Sequence, residues 1–217
     1  MKAVILIAIF CVFPIFCIAQ DPVMFDQMGD PNCETFFARV QNLFQRLREK
    51  PADRAFVVIK GPNSLLMKKL RYEMWLQGVA EQEKFDLSRV SSIRTEEDGS
   101  SVIIEFWVEP IDADFRSGRE GIWNLALKPR SKALEIYSQM EQICTSAGMD
   151  RILKELLDAN PRATIEVRVF APSKKRFDHI TNEVRKHLKG LPEMRIRSSW
   201  FRSSGNYAEY WVVPPQK

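Results

Sequence analysis

A pattern spanning roughly 80 residues occurs twice in this chain, and self-similarity of that length marks duplication of a whole module rather than a solenoid. Lys50-Pro51-Ala52-Asp53-Arg54 leads into the apolar run Ala55–Ile59 and on to Gly61-Pro62. Asn160-Pro161-Arg162-Ala163 leads into Thr164–Phe170 and on to Ala171-Pro172, and in both copies the prolines stand eleven positions apart. A basic helical stretch comes next in each copy, then Arg89-Val90 or Arg195-Ile196, then a turn at Gly99 or Gly205. The copies close on Glu105-Phe106-Trp107-Val108-Glu109-Pro110 and Glu209-Tyr210-Trp211-Val212-Val213-Pro214. Upstream, Gln27-Met28 precedes Cys33 as Gln139-Met140 precedes Cys144.

The periodicities within one copy predict its elements. Phe36, Phe37, Val40, Phe44 and Leu47 recur at helical spacing over 34–49, and Pro51 ends that helix. The continuous β-rich run Phe56–Ile59 reads as a central strand. A helix follows over 64–82, a strand over 90–95 and a last strand over 102–108, with Asp98-Gly99 as a two-residue hairpin turn between the strands. The second copy repeats the plan from a helix at 149–158, preceded by an added helix over 132–142. The expected fold is α+β: tandem duplicated α-β-α-β-β modules, each a three-stranded mixed sheet with helices on one face. The strand–helix–strand crossover gives parallel neighbours and the last two strands an antiparallel hairpin. The expected boundaries are a first module over 20–110, a docked linker over 111–130 and a second module over 131–217.

Residues 1–19 read as a secretory signal peptide: Lys2, then a nearly unbroken apolar run from Ala3 to Phe16, then small residues around Cys17-Ile18-Ala19. The run is short for a membrane span, so no transmembrane segment is expected after cleavage and the chain is expected to be periplasmic or secreted. Two of the four cysteines lie in that leader, leaving Cys33 and Cys144. In an oxidising compartment they are either a disulfide or two buried thiols. Packing of the copies about a pseudo-twofold axis would make these near-equivalent residues neighbours. Charge is uneven: residues 161–217 hold 12 Lys/Arg against five Asp/Glu, and residues 20–160 hold 19 against 23. A basic half suits an acidic partner, a solvated surface, or contact with the acidic half.

The sequence carries few chemical motifs. There is no Gly-x-Ser-x-Gly elbow and no glycine-rich phosphate loop. His179, Glu183 and His187 share a helix face at metal-ligand spacing, but Lys175, Arg185 and Lys186 crowd the same helix and repel a cation. No metal, cofactor or catalytic residue is therefore expected. Arg195, Arg197, Trp200, Phe201 and Arg202 interleave basic and aromatic residues, as single-strand binders do; the export signal argues against nucleic acid. The remaining feature is a repeated pair. Alternation puts Glu105 with Trp107, and Glu209 with Trp211, on one sheet face. Either those faces bind a sugar or peptide by stacking and hydrogen bonding, or the two sheets or their edges pack together and the tryptophans seal the contact.

Phe25-Asp26 with Gly29, Val57-Val58-Ile59-Lys60-Gly61, Phe85-Asp86 to Arg89-Val90 and the Glu105–Pro110 ending together resemble repeats in an uncharacterised family of exported bacterial proteins with repeated α/β modules. That resemblance implies an envelope location and brings no activity. Ser173–Arg197 also resembles half of an OmpA-like peptidoglycan-binding domain, in which a strand leads to a basic helix and then to an Arg/Lys-Ile strand. The Asn and Leu-Ser pattern before that helix and the early Asp are missing, and the helix is about a turn too long, so no site residue is carried across. The expectation is a non-catalytic binding or structural protein of the envelope, with an envelope glycan, a peptide or another envelope protein as partner. The alternative is a hydrolase-type enzyme using carboxylates on the sheet face.

Overall fold

A computed structural model describes residues 22–111, 125–139 and 148–215. The first module runs β1 (Val23–Gly29), α1 (Cys33–Glu49), β2 (Asp53–Gly61), α2 (Leu66–Glu83), β3 (Val90–Glu96) and β4 (Ile103–Pro110). The second runs β5 (Leu134–Ser138), α3 (Met149–Ala159), β6 (Thr164–Ala171), α4 (Lys174–His187), β7 (Ile196–Arg202) and β8 (Tyr207–Val213). The sheets have four strands each, ordered β1-β4-β2-β3 and β5-β8-β6-β7. The parallel pairs β2/β3 and β6/β7 are the expected crossovers.

Three expectations are corrected. The sheets are four-stranded because β1 and β5 pair antiparallel with the last strand of their modules. Both added strands carry an irregularity at the equivalent place, around Phe25 and around Ile136, which breaks the alternation that identifies a strand. Residues 134–138 are strand, not helix: pairing with β8 overrides a short helical spacing, while 140–142 fall outside the described residues. Finally, β3/β4 and β7/β8 are not hairpins. Each closing strand pairs with β2 or β6 on one side and with β1 or β5 on the other. The β3–β4 connection therefore passes over the end of β2 and touches it at Gly61, whose φ is +149° and where a Cβ would lie 3.1 Å from the Ser101 carbonyl oxygen. Glycine is required there by both conformation and space.

The repeated arginines named by the sequence are clamps. Arg89 donates to the carbonyls of Leu47, Lys50 and Asp53, and Arg195 to those of Leu157, Asn160 and Ala163. Both tie the open carbonyl end of the preceding helix to the start of the central strand, where a cation is favoured. Replacing Arg195 by alanine should cost about 2–3 kcal/mol, the range for hydrogen bonds to a charged group. It should be read as a lower urea midpoint with unchanged slope, and lysine should not restore it, because one ammonium cannot span three carbonyls. Full stability in the lysine variant would show that charge alone matters.

The modules join through α2. Its residues Leu66, Leu70, Tyr72, Met74, Trp75, Leu76, Val79 and Ala80 are buried on all sides of the helix, because it packs against α1 and β2 in its own module and against β5 and α3 in the next. By contrast α4 buries a single stripe of Ile180, Thr181 and Val184. Lys69 is fully buried within α2 and donates to the Gly61 carbonyl at 2.8 Å; burial pushes its pKa down, partly offset by Glu96. At the junction Arg94 of β3 bridges Glu73 of α2 (2.7 Å) and Glu155 of α3 (2.6 Å). Gly148 starts α3 at φ +72°, where any Cβ would collide with the Gln77 amide of α2. Asn160, buried at the end of α3, holds the linker by accepting from Leu127 N–H and donating to Leu125 O, both at 2.7 Å. The rest of the linker, 112–124, lies outside the described residues.

This junction is head-to-tail. Helix α2 covers β5, so Ile136 is 0% exposed, and Arg71 donates to its carbonyl at 3.1 Å. Among the described residues no comparable packing joins α4 to β1, and Val23, Met24 and Phe25 are 60%, 42% and 39% exposed. The modules are therefore not related by a pseudo-twofold axis, and the symmetry reason for pairing the cysteines is withdrawn. Cys33 opens α1, is buried, and carries no free thiol; Cys144 lies outside the described residues.

Candidate ligand-binding face

Among the described residues the helices cover one face of each sheet, and the opposite faces of the two sheets differ. In the second module β6 alternates strictly: Ile165, Val167, Val169 and Ala171 are buried, while Thr164, Glu166, Arg168 and Phe170 are half-buried on the other side. Strand β8 does the same, with Tyr207, Glu209, Trp211 and Val213 outward. Register sets these side chains in rows. Phe170 lies between Phe201 and Tyr207, Arg168 between Ser199 and Glu209, and Glu166 between Arg197 and Trp211.

The first row is a continuous stack, with ring centroids of Phe170 4.5 Å from Tyr207 and 5.1 Å from Phe201. Beside it the Arg168 guanidinium lies 4.0 Å over the Trp211 ring. Arg168 donates to Glu166 at 3.1 Å, Ser199 donates to the other Glu166 oxygen at 3.1 Å, and the Trp211 indole donates to Glu209 at 2.9 Å. The Arg168 Nε is buried with no acceptor. The face thus offers flat rings next to oriented polar groups that hold one another in place.

The first module's face is closed down. Trp107 donates to Glu105 at 2.9 Å, as its counterpart does, but Lys60 also pairs with Glu105 at 2.5 Å, and Glu105 is buried. Phe56 and Val58 beside it are buried as well. Arg54 pairs with the buried Glu109 at 2.6 Å. The four residues singled out in the sequence therefore divide. Glu209 and Trp211 stand on a half-open face, and Glu105 and Trp107 belong to a closed one. Among the described elements the modules meet through α2, which packs on β5 and α3, and not sheet to sheet, which differs from the packed-sheet expectation. Glu105 and Glu209 stand on different sheets and each already accepts from its own tryptophan.

Two other regions are concave or titratable. A groove of about 690 Å³ lies between the start of α2 and the segment 126–135. Of its three cations, Lys68 pairs with Asp30 at 2.5 Å and Arg71 donates to the Ile136 carbonyl. On α4, Glu183 pairs with Lys186 at 2.7 Å, and this lowers its pKa. No cluster of three metal-ligating side chains occurs among the described residues, and among them no helix is long and apolar enough to cross a membrane.

Sequence reasoning missed Phe170, Phe201, Tyr207, Arg168 and Glu166 as one surface. Alternation within each strand carried their outward orientation, but a β7–β8 hairpin would have set Phe201 beside Tyr207 and left Phe170 outside the row. Compared with known proteins, the chain matches no family model and no curated sequence.

Proposed function

We propose that this chain is exported and serves the cell envelope as a non-catalytic binding protein, with the uncovered sheet face of the second module holding an envelope glycan or peptide. The observation that carries the reading is the Phe201–Phe170–Tyr207 stack beside the Arg168–Trp211–Glu209 group. Flat rings with a few fixed polar groups suit the apolar face and the hydroxyls of a sugar or the edges of a peptide. The export part rests on the leader at 1–19 and on the resemblances stated above. The strand–helix–Arg–strand order that prompted the OmpA-like comparison is present in both modules, as β2–α2–Arg89–β3 and β6–α4–Arg195–β7. The hydrolase alternative has less support, since Glu105 and Glu209 do not converge.

Soluble muropeptides released from peptidoglycan are the first probe, followed by intrinsic tryptophan fluorescence and calorimetry. The unaltered protein should bind saturably, and Trp211→Ala should weaken binding by about tenfold or more, the effect of losing a central aromatic anchor. Equal affinity in the variant would remove this face from the function. No binding of muropeptides or of neutral oligosaccharides by the unaltered protein would remove the glycan reading.

A further inference from the structure

The four edge strands of the two sheets are unequally guarded. An unprotected edge presents a row of unpaired N–H and C=O groups to any extended chain, and folded proteins blunt such edges with bulges, inward charges or covering elements. Strand β1 has an irregularity at Phe25, and β5 has one at Ile136 and is covered by α2. Strand β3 turns Arg94 inward onto Glu73 and runs into Glu96-Glu97-Asp98. Strand β7 has none of these devices. It keeps regular register with β6 from Ile196 to Arg202, contains no proline, and has no described element against its outer side. Trp200 and Phe201 are each 41% exposed.

The ladder fixes which backbone groups face out. Ser203 N–H donates back to the Ala171 carbonyl at 3.2 Å. Bonding alternates along a parallel pair, so Ser198, Trp200 and Arg202 turn their N–H and C=O groups away from β6. Side chains flank that row on both faces. Phe201 extends the aromatic stack on the uncovered face, and Trp200 stacks on Phe177 of α4 on the other, with centroids 6.1 Å apart. The charge along the edge has one sign: no acidic residue occurs between Glu193 and Glu209, while Arg197 and Arg202 are exposed. Pairing of two β7 edges from two copies would bring four arginines and no acidic residue to one seam, so a second copy is a poor occupant.

We propose that the outer edge of β7 is a docking site for an extended acidic peptide segment of a partner protein, which adds a fifth strand to the second sheet. Main-chain hydrogen bonds supply the attachment, Trp200 and Phe201 receive alternate side chains, and Arg197 and Arg202 select carboxylates. The edge shares Phe201 with the aromatic stack but does not include Trp211, and the proposal does not rest on the glycan reading.

The test uses fluorescent peptides of about ten residues, long enough to match one strand, read by anisotropy. One alternates glutamate with valine, one alternates lysine with valine, and the third is polyglutamate. The glutamate–valine peptide should bind saturably, and the other two at least about tenfold more weakly. Ser198→Pro removes one outward N–H without touching the β6–β7 ladder. It should weaken the peptide about tenfold at an unchanged melting temperature. The Arg197→Glu, Arg202→Glu double variant needs no backbone change and should reverse the preference toward the lysine–valine peptide. Trp211→Ala should leave peptide binding unchanged, which separates this edge from the glycan face. Polyglutamate binding as tightly as the alternating peptide would reduce the site to general electrostatics and overturn the proposal. So would an unchanged preference in the double variant.

Discussion

Replacing Arg94 by alanine should destabilise the protein by about 3–5 kcal/mol, the range seen when one member of a buried ion pair is removed. The guanidinium reaches both oxygens of Glu73, at 2.9 and 2.7 Å, and also Glu155. The Glu73 side chain is only 3% exposed. Without Arg94 its carboxylate keeps Ser92 at 2.6 Å and a distant Arg151 at 3.6 Å, too little to offset burial. A variant with Arg94→Met and Glu73→Leu together should recover most of the loss, because the charge and its desolvation disappear with the pair. The same group sets an acid limit. Burial opposes ionisation of Glu73, but the hydrogen bonds and charge of Arg94, with Ser92 and Arg151, outweigh it and hold the pKa below the ordinary 4.5. A depressed folded value means that the stabilisation is complete above pH 4.5 and is lost as pH falls through the folded value. Denaturation midpoints measured from neutral to acid pH should therefore fall more steeply in the parent than in the double variant. Parallel curves would locate the acid sensitivity elsewhere.

The second large effect concerns Cys33. Its sulfur is not free, Cys11 and Cys17 lie in the segment whose sequence reads as a leader, and Cys144 is the remaining cysteine in the chain. We propose the Cys33–Cys144 bridge. It closes a loop of just over 100 residues, for which the chain-entropy account gives about 4–5 kcal/mol. Cys33→Ser, or reduction of the parent, should lower the melting temperature by far more than any surface substitution. Peptide mapping of the oxidised mature protein should yield the linked pair. Two alkylatable thiols in the denatured, unreduced protein would end the proposal.

Much of the fold was legible because the two copies check each other. The apolar runs of β2 and β6, the helical stripes of α1 and α3, and the arginines ahead of β3 and β7 recur in order, so each reading had a second instance. The parallel crossovers followed from strand–helix–strand order alone. What failed was non-local. Residues 23–29 and 134–138 become strands by pairing with the last strand of their module, and the irregularity in each hides the alternation. Asp98-Gly99 is a good local hairpin signal, yet β4 lies between β2 and β1, and no short-range rule reports that order. The site followed the same division. Alternation put Glu209 beside Trp211 correctly, but the aromatic row needed Phe170 to lie between two strands that the sequence had joined directly. The contrast between the two faces was also illegible, because Lys60 pairs with Glu105 across strands whose register was unknown.

The head-to-tail junction gives the molecule a direction. Helix α2 is buried on most of its circumference, Lys69 and Glu73 included, because it is shared by two modules, whereas α4, with Lys174, Lys175, Asp178 and Glu183 exposed to solvent, can only be a last layer. Strand β5 receives a helix, and no described helix covers β1. Exchanging the order of the two copies in the gene would thus press a charged helix onto Val23–Phe25 and leave Arg71 without the Ile136 carbonyl and Arg94 without Glu155. Although the copies arose as equals, each has become specialised for its place, as the interior and terminal units of a stacked array do. The smallest piece expected to fold is the pair in its present order.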